Sequence, residues 1–129
     1  AAIRGRALFL DKGRCFDCHF SPDFTGDEFK NIGLFDGNKN ADLGRFAITK
    51  DSSDLGKMKV PGLRNVAMTA PYMHDGSLEN IFAVFQHYEE KYSLNLNKKE
   101  QQELIAFFNA LTDTSYLSNK ELLNPFQYQ

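Results

Sequence analysis

GRCFDCHFSP, residues 13–22, carries both cysteines of this 129-residue chain, Cys15 and Cys18, with His19 directly after the second. Two thiols three positions apart followed at once by an imidazole is the C-x-x-C-H spacing of covalent c-type haem attachment. The chemistry needs that spacing. The thiols add to two vinyl groups on one porphyrin edge, and the adjacent histidine then reaches the iron. Structural zinc is the first competitor, but it takes four Cys or His ligands in paired clusters. Beyond Cys15, Cys18 and His19 only His74 and His87 remain, and they form no second pair. A redox dithiol is the second competitor. It belongs at a strand-to-helix junction of a thioredoxin-like pattern, which the flanking residues do not supply. Ligand counting therefore favours one covalent haem c, held by Cys15 and Cys18 with His19 as proximal iron ligand.

The bulk numbers are those of an ordinary globular domain: 42% apolar residues, 25% charged residues and a net charge of −2. Such a charge calls for no nucleic-acid partner and no anionic membrane surface. No stretch is apolar enough or long enough to span a bilayer. The N-terminus AAIRGRALFLD is interrupted by charge and shows no signal peptide. Thioether attachment takes place outside the cytoplasm, so a periplasmic or otherwise extracytoplasmic location is expected.

Periodicity predicts a first helix over Ile3 to Lys12, with Ile3, Ala7 and Leu10 inward and Gly13 closing it. The middle, from Phe20 to Pro71, holds six of the nine glycines and three of the four prolines, and reads as loops and turns. A loop region this long suits a compact domain only if it wraps a ligand or partner. A second helix begins near Ser77, the expected N-cap, with Leu78, Ile81, Phe82, Phe85 and Tyr88 on one face. A third begins at Asn97, where Glu100 completes a capping box, and presents Leu104, Ile105, Phe107, Phe108 and Leu111. The whole is expected to be one all-α domain over residues 1–129, with 113–129 as a C-terminal extension packed as an extended arm.

Several blocks, in order, resemble the C-terminal haem domain of bacterial di-haem cytochrome c peroxidases and their MauG-like relatives. They are GRALFLDKGRCFDCH (5–19), FKNIGL (29–34), DLGRFAIT (42–49), KVPGLRNVAMTAPYMHDGSL (59–78) and FFNALTD (107–113). Lys30 departs from the family, which often has His before NIGL. The resemblance implies a class I cytochrome c-like fold with a few helices around one haem. It also implies an electron-transfer role, a small electron-donor protein as redox partner, and an N-terminal peroxidatic haem domain that this chain lacks.

The far side of the iron stays open between two readings. From the chemistry of a low-spin electron-transfer haem, a thioether is suitable, and Met73 is better placed than Met58 or Met68. From the resemblance, the distal position lies fourteen residues past the histidine of the HDG motif, which from His74 is Tyr88. The peroxidases have Met there and MauG-like members Tyr, a hard oxygen ligand that favours ferric iron. His74 is expected to be structural or part of an electron path, with a catalytic role as the alternative. His87, one residue before Tyr88, points about 100° away and is expected at the surface. The resemblance also marks Thr69 and Pro71 as backbone ligands of a calcium site, incomplete without the partner domain. Arg64 and Arg45 are candidates for the haem propionates, which need cationic company if buried. Asp23, Asp27 and Glu28 form an acidic cluster that reads as solvated. If the sixth position is open, peroxidase activity at this haem is the alternative function, with His74 or Glu79 as its acid–base group.

Overall fold

The computed structural model describes all residues except 21, 39–40, 116–118 and 123–129. Its regular elements are α1 (Ala2–Leu10), β1 (Phe29–Lys30), α2 (Phe46–Thr49), β2 (Met58–Lys59), α3 (Ile81–Tyr92) and α4 (Lys98–Ala110). Short 3-10 turns lie between them. The fold is mostly helical, as expected. The one addition is a two-stranded antiparallel sheet pairing Phe29 with Lys59 and Lys30 with Met58. Strands of two residues are too short to leave an alternating pattern in the sequence.

The molecule is organised around the crossing of α1 and α4. At the crossing point a Cβ on Gly5 would lie 1.9 Å from the Glu103 carbonyl oxygen, so the two backbones touch. One turn later Phe9 is fully buried. Its ring meets Phe107 at 5.3 Å, Phe24 at 5.7 Å and Phe108 at 6.2 Å between centroids, mostly edge to face. Leu104 is fully buried beside it. Phe85 stacks on Phe108 at 6.2 Å and brings α3 onto the same cluster.

The expected inward face of α1 is corrected by this packing. Ile3 is 88% exposed and Leu10 41%, while Gly5 and Phe9, four apart on one face, are buried. A glycine counts as neutral in a hydrophobic pattern. Here it is the contact that lets the partner helix approach. Arg4 also turns toward α4, where its Nε donates to Glu103 Oε1 at 2.5 Å and satisfies the one buried carboxylate among the described residues.

The start of α4 follows the sequence expectation. Asn97 Oδ1 accepts from the Glu100 backbone N–H at 3.0 Å, and Glu100 Oε2 accepts from the Asn97 N–H at 2.9 Å. Lys12 Nζ reaches Glu100 Oε2 at 2.7 Å, tying the end of α1 to the start of α4. Asn97→Ala is expected to cost about 1 kcal/mol, read as a lower urea midpoint at unchanged slope. The start of α3 differs from expectation. Asn80, not Ser77, is the N-cap, its Oδ1 accepting from Ala83 N–H at 3.0 Å. Ser77 is used earlier. Its N–H donates to Asp75 Oδ1 inside a turn that closes the Tyr72–Leu78 bridge.

The middle region is loops pinned to this frame. Asn65 donates its N–H to the Leu111 carbonyl, and its side chain accepts from the Asp113 N–H at 2.7 Å, fastening GLRN to the end of α4. Of the expected C-terminal arm, residues 113–115 and 119–122 are described and exposed, with a 3-10 turn at Lys120–Leu122, and residues 116–118 and 123–129 lie outside the described residues. No helix among the described residues is long and apolar enough to cross a membrane.

Candidate haem-binding site

Chain reversal after α1 builds the site. The Gly13 N–H returns to the Leu8 carbonyl at 2.7 Å. A Cβ at Gly13 would sit 2.8 Å from that carbonyl oxygen and 3.3 Å from Cys15 Sγ, so only glycine lets the chain double back this tightly. Arg14 then takes the left-handed conformation (φ 52°), and Cys15–Asp17 winds into a 3-10 turn. The His19 N–H bonds the Cys15 carbonyl at 2.9 Å, which folds the motif into one compact unit. Cys15, Cys18 and His19 are all half-buried.

The two thiols are free, with no disulfide between them. Burial pushes the Cys15 pKa up to about 12 and raises that of Cys18. Both are therefore neutral thiols, unlike the activated thiolate of a redox dithiol. Among the described residues no three His, Cys, Asp or Glu side chains converge as a metal cluster, which leaves the zinc alternative without its ligands.

His19 is oriented for ligation. Its Nδ1 lies 3.1 Å from the Phe24 carbonyl and 3.0 Å from the Pro61 carbonyl. Both partners are acceptors, so Nδ1 carries the proton and Nε2 keeps its lone pair. Metal-binding histidines commonly donate their other ring N–H to a carbonyl in this way. Burial lowers the His19 pKa, which favours the neutral, ligating ring. Lys59 steadies the supporting loops, its Nζ donating to the Gly26 and Val60 carbonyls at 2.7 and 3.0 Å.

Tyr88 is half-buried on α3. Burial, with smaller contributions from the neighbouring Cys18, Tyr92 and Cys15, pushes its phenol up to about 12, so the ring lies in the electrostatic neighbourhood of the motif. Among the described residues no hydrogen-bond partner meets its hydroxyl, which leaves the oxygen free to serve as a ligand. The Tyr88 ring stacks on Tyr92 with centroids 6.0 Å apart and planes 12° apart. His87 meets Tyr88 edge-on at 5.4 Å. It is not a surface residue as expected, because Nε2 donates to the Ile32 carbonyl at 2.8 Å and draws the ring into the fold. The donor set Cys15, Cys18, His19 and Tyr88 thus suits a covalent haem.

The remaining candidates are scattered. Met73 sits half-buried in a tight turn with φ 73°. Met58 lines a cavity of about 350 Å³ with Leu34, Phe35 and Asp75, and the exposed His74 stands at the same cavity. Met68 is 52% exposed. Arg64 Nε bonds Asp23 at 3.0 Å and its Nη2 the Pro22 carbonyl. Arg45 bonds Asp54 at 2.9 Å and lies over the Phe29 ring. Both guanidiniums are therefore already clasping loops. Two acids of the expected solvated cluster have partners, Asp23 with Arg64 and Glu28 with Lys30. Thr69 and Pro71 are exposed, and the Thr69 hydroxyl donates to the Val66 carbonyl. The sequence reading passed over Tyr92, which stacks on Tyr88, and Arg14, which lies over the Tyr92 ring. The available signal was the i,i+4 spacing of the two tyrosines, which puts them on one helix face.

No protein-family model matches the chain. Similar curated proteins include the methylamine utilization protein MauG of Methylorubrum extorquens, 40% identical over 123 residues, covering 85% of this chain and 34% of that protein. The cytochrome c peroxidase Ccp of Escherichia coli is 34% identical over 126 residues, covering 92% of this chain and 27% of its own length. A crystal structure of a MauG-like protein associated with microbial copper homeostasis superimposes with a TM-score of 0.84 at 29% identity, over 97% of this chain and 50% of that one. The chain thus spans a quarter to a half of the length of the relatives it matches. By sequence and by fold it belongs to the family of MauG proteins and bacterial cytochrome c peroxidases, corresponding to one segment of their longer chains.

Proposed function

We propose that this chain is a c-type haem segment that carries electrons, anchored through Cys15 and Cys18, with His19 and Tyr88 on the two sides of the iron. The observation that carries the reading is the commitment of His19 Nδ1 to the Phe24 and Pro61 carbonyls, which aims the free Nε2 lone pair outward from the motif. A bound haem supplies a one-electron couple. The protein's part is to hold it. The thiols prevent its loss, the two carbonyls fix the tautomer of His19, and the phenylalanine-rich core behind the motif keeps water away. Tyr88 would supply an oxygen donor to the iron of a bound haem, which would favour electron transfer over peroxide binding at this site. A phenol oxygen stabilises the ferric state and holds the potential below that of a thioether-ligated haem. The family relation supports an extracytoplasmic location, a small electron-donor protein as partner, and a peroxidatic haem domain elsewhere in the longer relatives.

A visible spectrum of the haem-loaded chain tests the assignment. We expect a low-spin ferric spectrum without a sulfur-to-iron charge-transfer band, and a marked change in Tyr88→Phe. An unchanged Tyr88→Phe spectrum removes Tyr88 as ligand. A sulfur band points to Met73 instead. A high-spin parent spectrum that responds to peroxide replaces the electron-transfer reading with a peroxidase.

A further inference from the structure

Tyr88 does not stand alone on its helix. One turn on, Tyr92 lies parallel to it, with centroids 6.0 Å and planes 12° apart. The Arg14 guanidinium carbon lies over the Tyr92 ring, 5.4 Å from its centroid, and Lys91 Nζ lies over the same ring at 5.7 Å. Arg14 immediately precedes Cys15 and is itself fixed twice, by a left-handed backbone and by an ion pair to Asp17 at 2.8 Å. The chain of contacts therefore runs from the haem-attachment turn, through Arg14 and Tyr92, to the distal-side tyrosine. It joins two segments more than seventy residues apart in sequence.

We propose that Arg14 and Tyr92 form a clamp that keeps Tyr88 seated and so decides whether the sixth position is closed or labile. The inference rests on Tyr88 being the distal ligand. Tyr88 projects from a helix whose own core anchor, Phe85, lies one turn before it. Beyond Tyr88 the helix ends at Ser93, in left-handed backbone. The last turn of a helix frays unless something holds it. Ring stacking and a cation over a ring each correspond to about a two- to tenfold bias in an equilibrium. Both act on Tyr92, whose ring plane then constrains that of Tyr88. Tyr92 and Arg14 are positioning residues, since they act through Tyr88 and not on the iron.

The test uses the haem-loaded chain and three substitutions. Tyr92→Leu removes the stack, Arg14→Gln removes the cation, and Tyr92→Phe keeps the ring. The readouts are the high-spin fraction of the ferric spectrum and the association rate of cyanide, which binds only where the sixth position opens. Tyr92→Leu is expected to raise the high-spin fraction and speed cyanide association about tenfold. Arg14→Gln should speed it about threefold, and Tyr92→Phe should match the parent. Arg14 is exposed and outside the core, so its variant reads the clamp even if Tyr92→Leu fails to load haem. Parent-like spectra and cyanide rates in both Tyr92→Leu and Arg14→Gln overturn the clamp, whatever happens to thermal stability, because a packing role alone predicts that result. A Tyr88→Phe spectrum identical to the parent sinks the ligand assignment and the clamp together. A changed Tyr88→Phe spectrum beside silent Tyr92 and Arg14 variants sinks the clamp alone.

Discussion

Gly5→Ala is expected to lower stability by roughly 3 kcal/mol or more, a fall in melting temperature of about 10 °C for a domain of this size. The new Cβ would stand 1.9 Å from the Glu103 carbonyl oxygen and 2.9 Å from the Phe107 Cβ. The first of these is backbone in the middle of α4, so no side-chain rotation relieves it. The helices must separate, and the separation pulls Phe9 out of the ring cluster of Phe24, Phe107 and Phe108. An exposed helix glycine would behave the opposite way, since alanine is the better helix former. The sign of the effect therefore distinguishes a backbone crossing from a free surface. Thermal unfolding followed by circular dichroism is the measurement. A melting temperature equal to or above the parent's would show that α1 and α4 do not cross at Gly5.

His19→Ala carries the largest expected functional effect. On the proposed assignment the substitution removes the motif's iron ligand, so the low-spin spectrum of the haem-loaded chain should disappear. Cys15 and Cys18 are untouched, and haem that has been attached should resist acid–acetone extraction. The Phe24 and Pro61 carbonyls lose their shared donor at the same time. Pro61 is exposed and water replaces the bond there. The half-buried Phe24 carbonyl is less well served, at about 1 kcal/mol. A variant that loads haem covalently and keeps the parent's low-spin spectrum would show that another group ligates the iron.

Legibility differed between parts of the chain for physical reasons. The capping box at Asn97 and Glu100 is a local interaction between residues three apart, and local interactions are written in sequence order. The apolar face of α4 was legible for the same reason, because a 3.6-residue period belongs to one helix alone. The face of α1 was misread because its burial depends on α4, nearly a hundred positions away. The start of α3 was misplaced because Ser77 is drawn into the Tyr72–Leu78 bridge, a pairing that competes with capping. His87 was assigned to the surface from its angle on the helix, but the Ile32 carbonyl gives its imidazole a half-buried partner.

The spacing of CFDCH by itself pointed to covalent haem attachment, since two thiols and an imidazole at that interval leave few other uses. The ordered blocks around it were enough to indicate the family. Only the tertiary structure decided which nitrogen of His19 is left free, because that depends on carbonyls at residues 24 and 61 that no local rule connects to residue 19. Only it brought Arg14 onto the Tyr92 ring that stacks on Tyr88. Ligand type is a property of a side chain and can be read one residue at a time. Ligand orientation is a property of whatever packs against that side chain, and that is known only once the chain has folded.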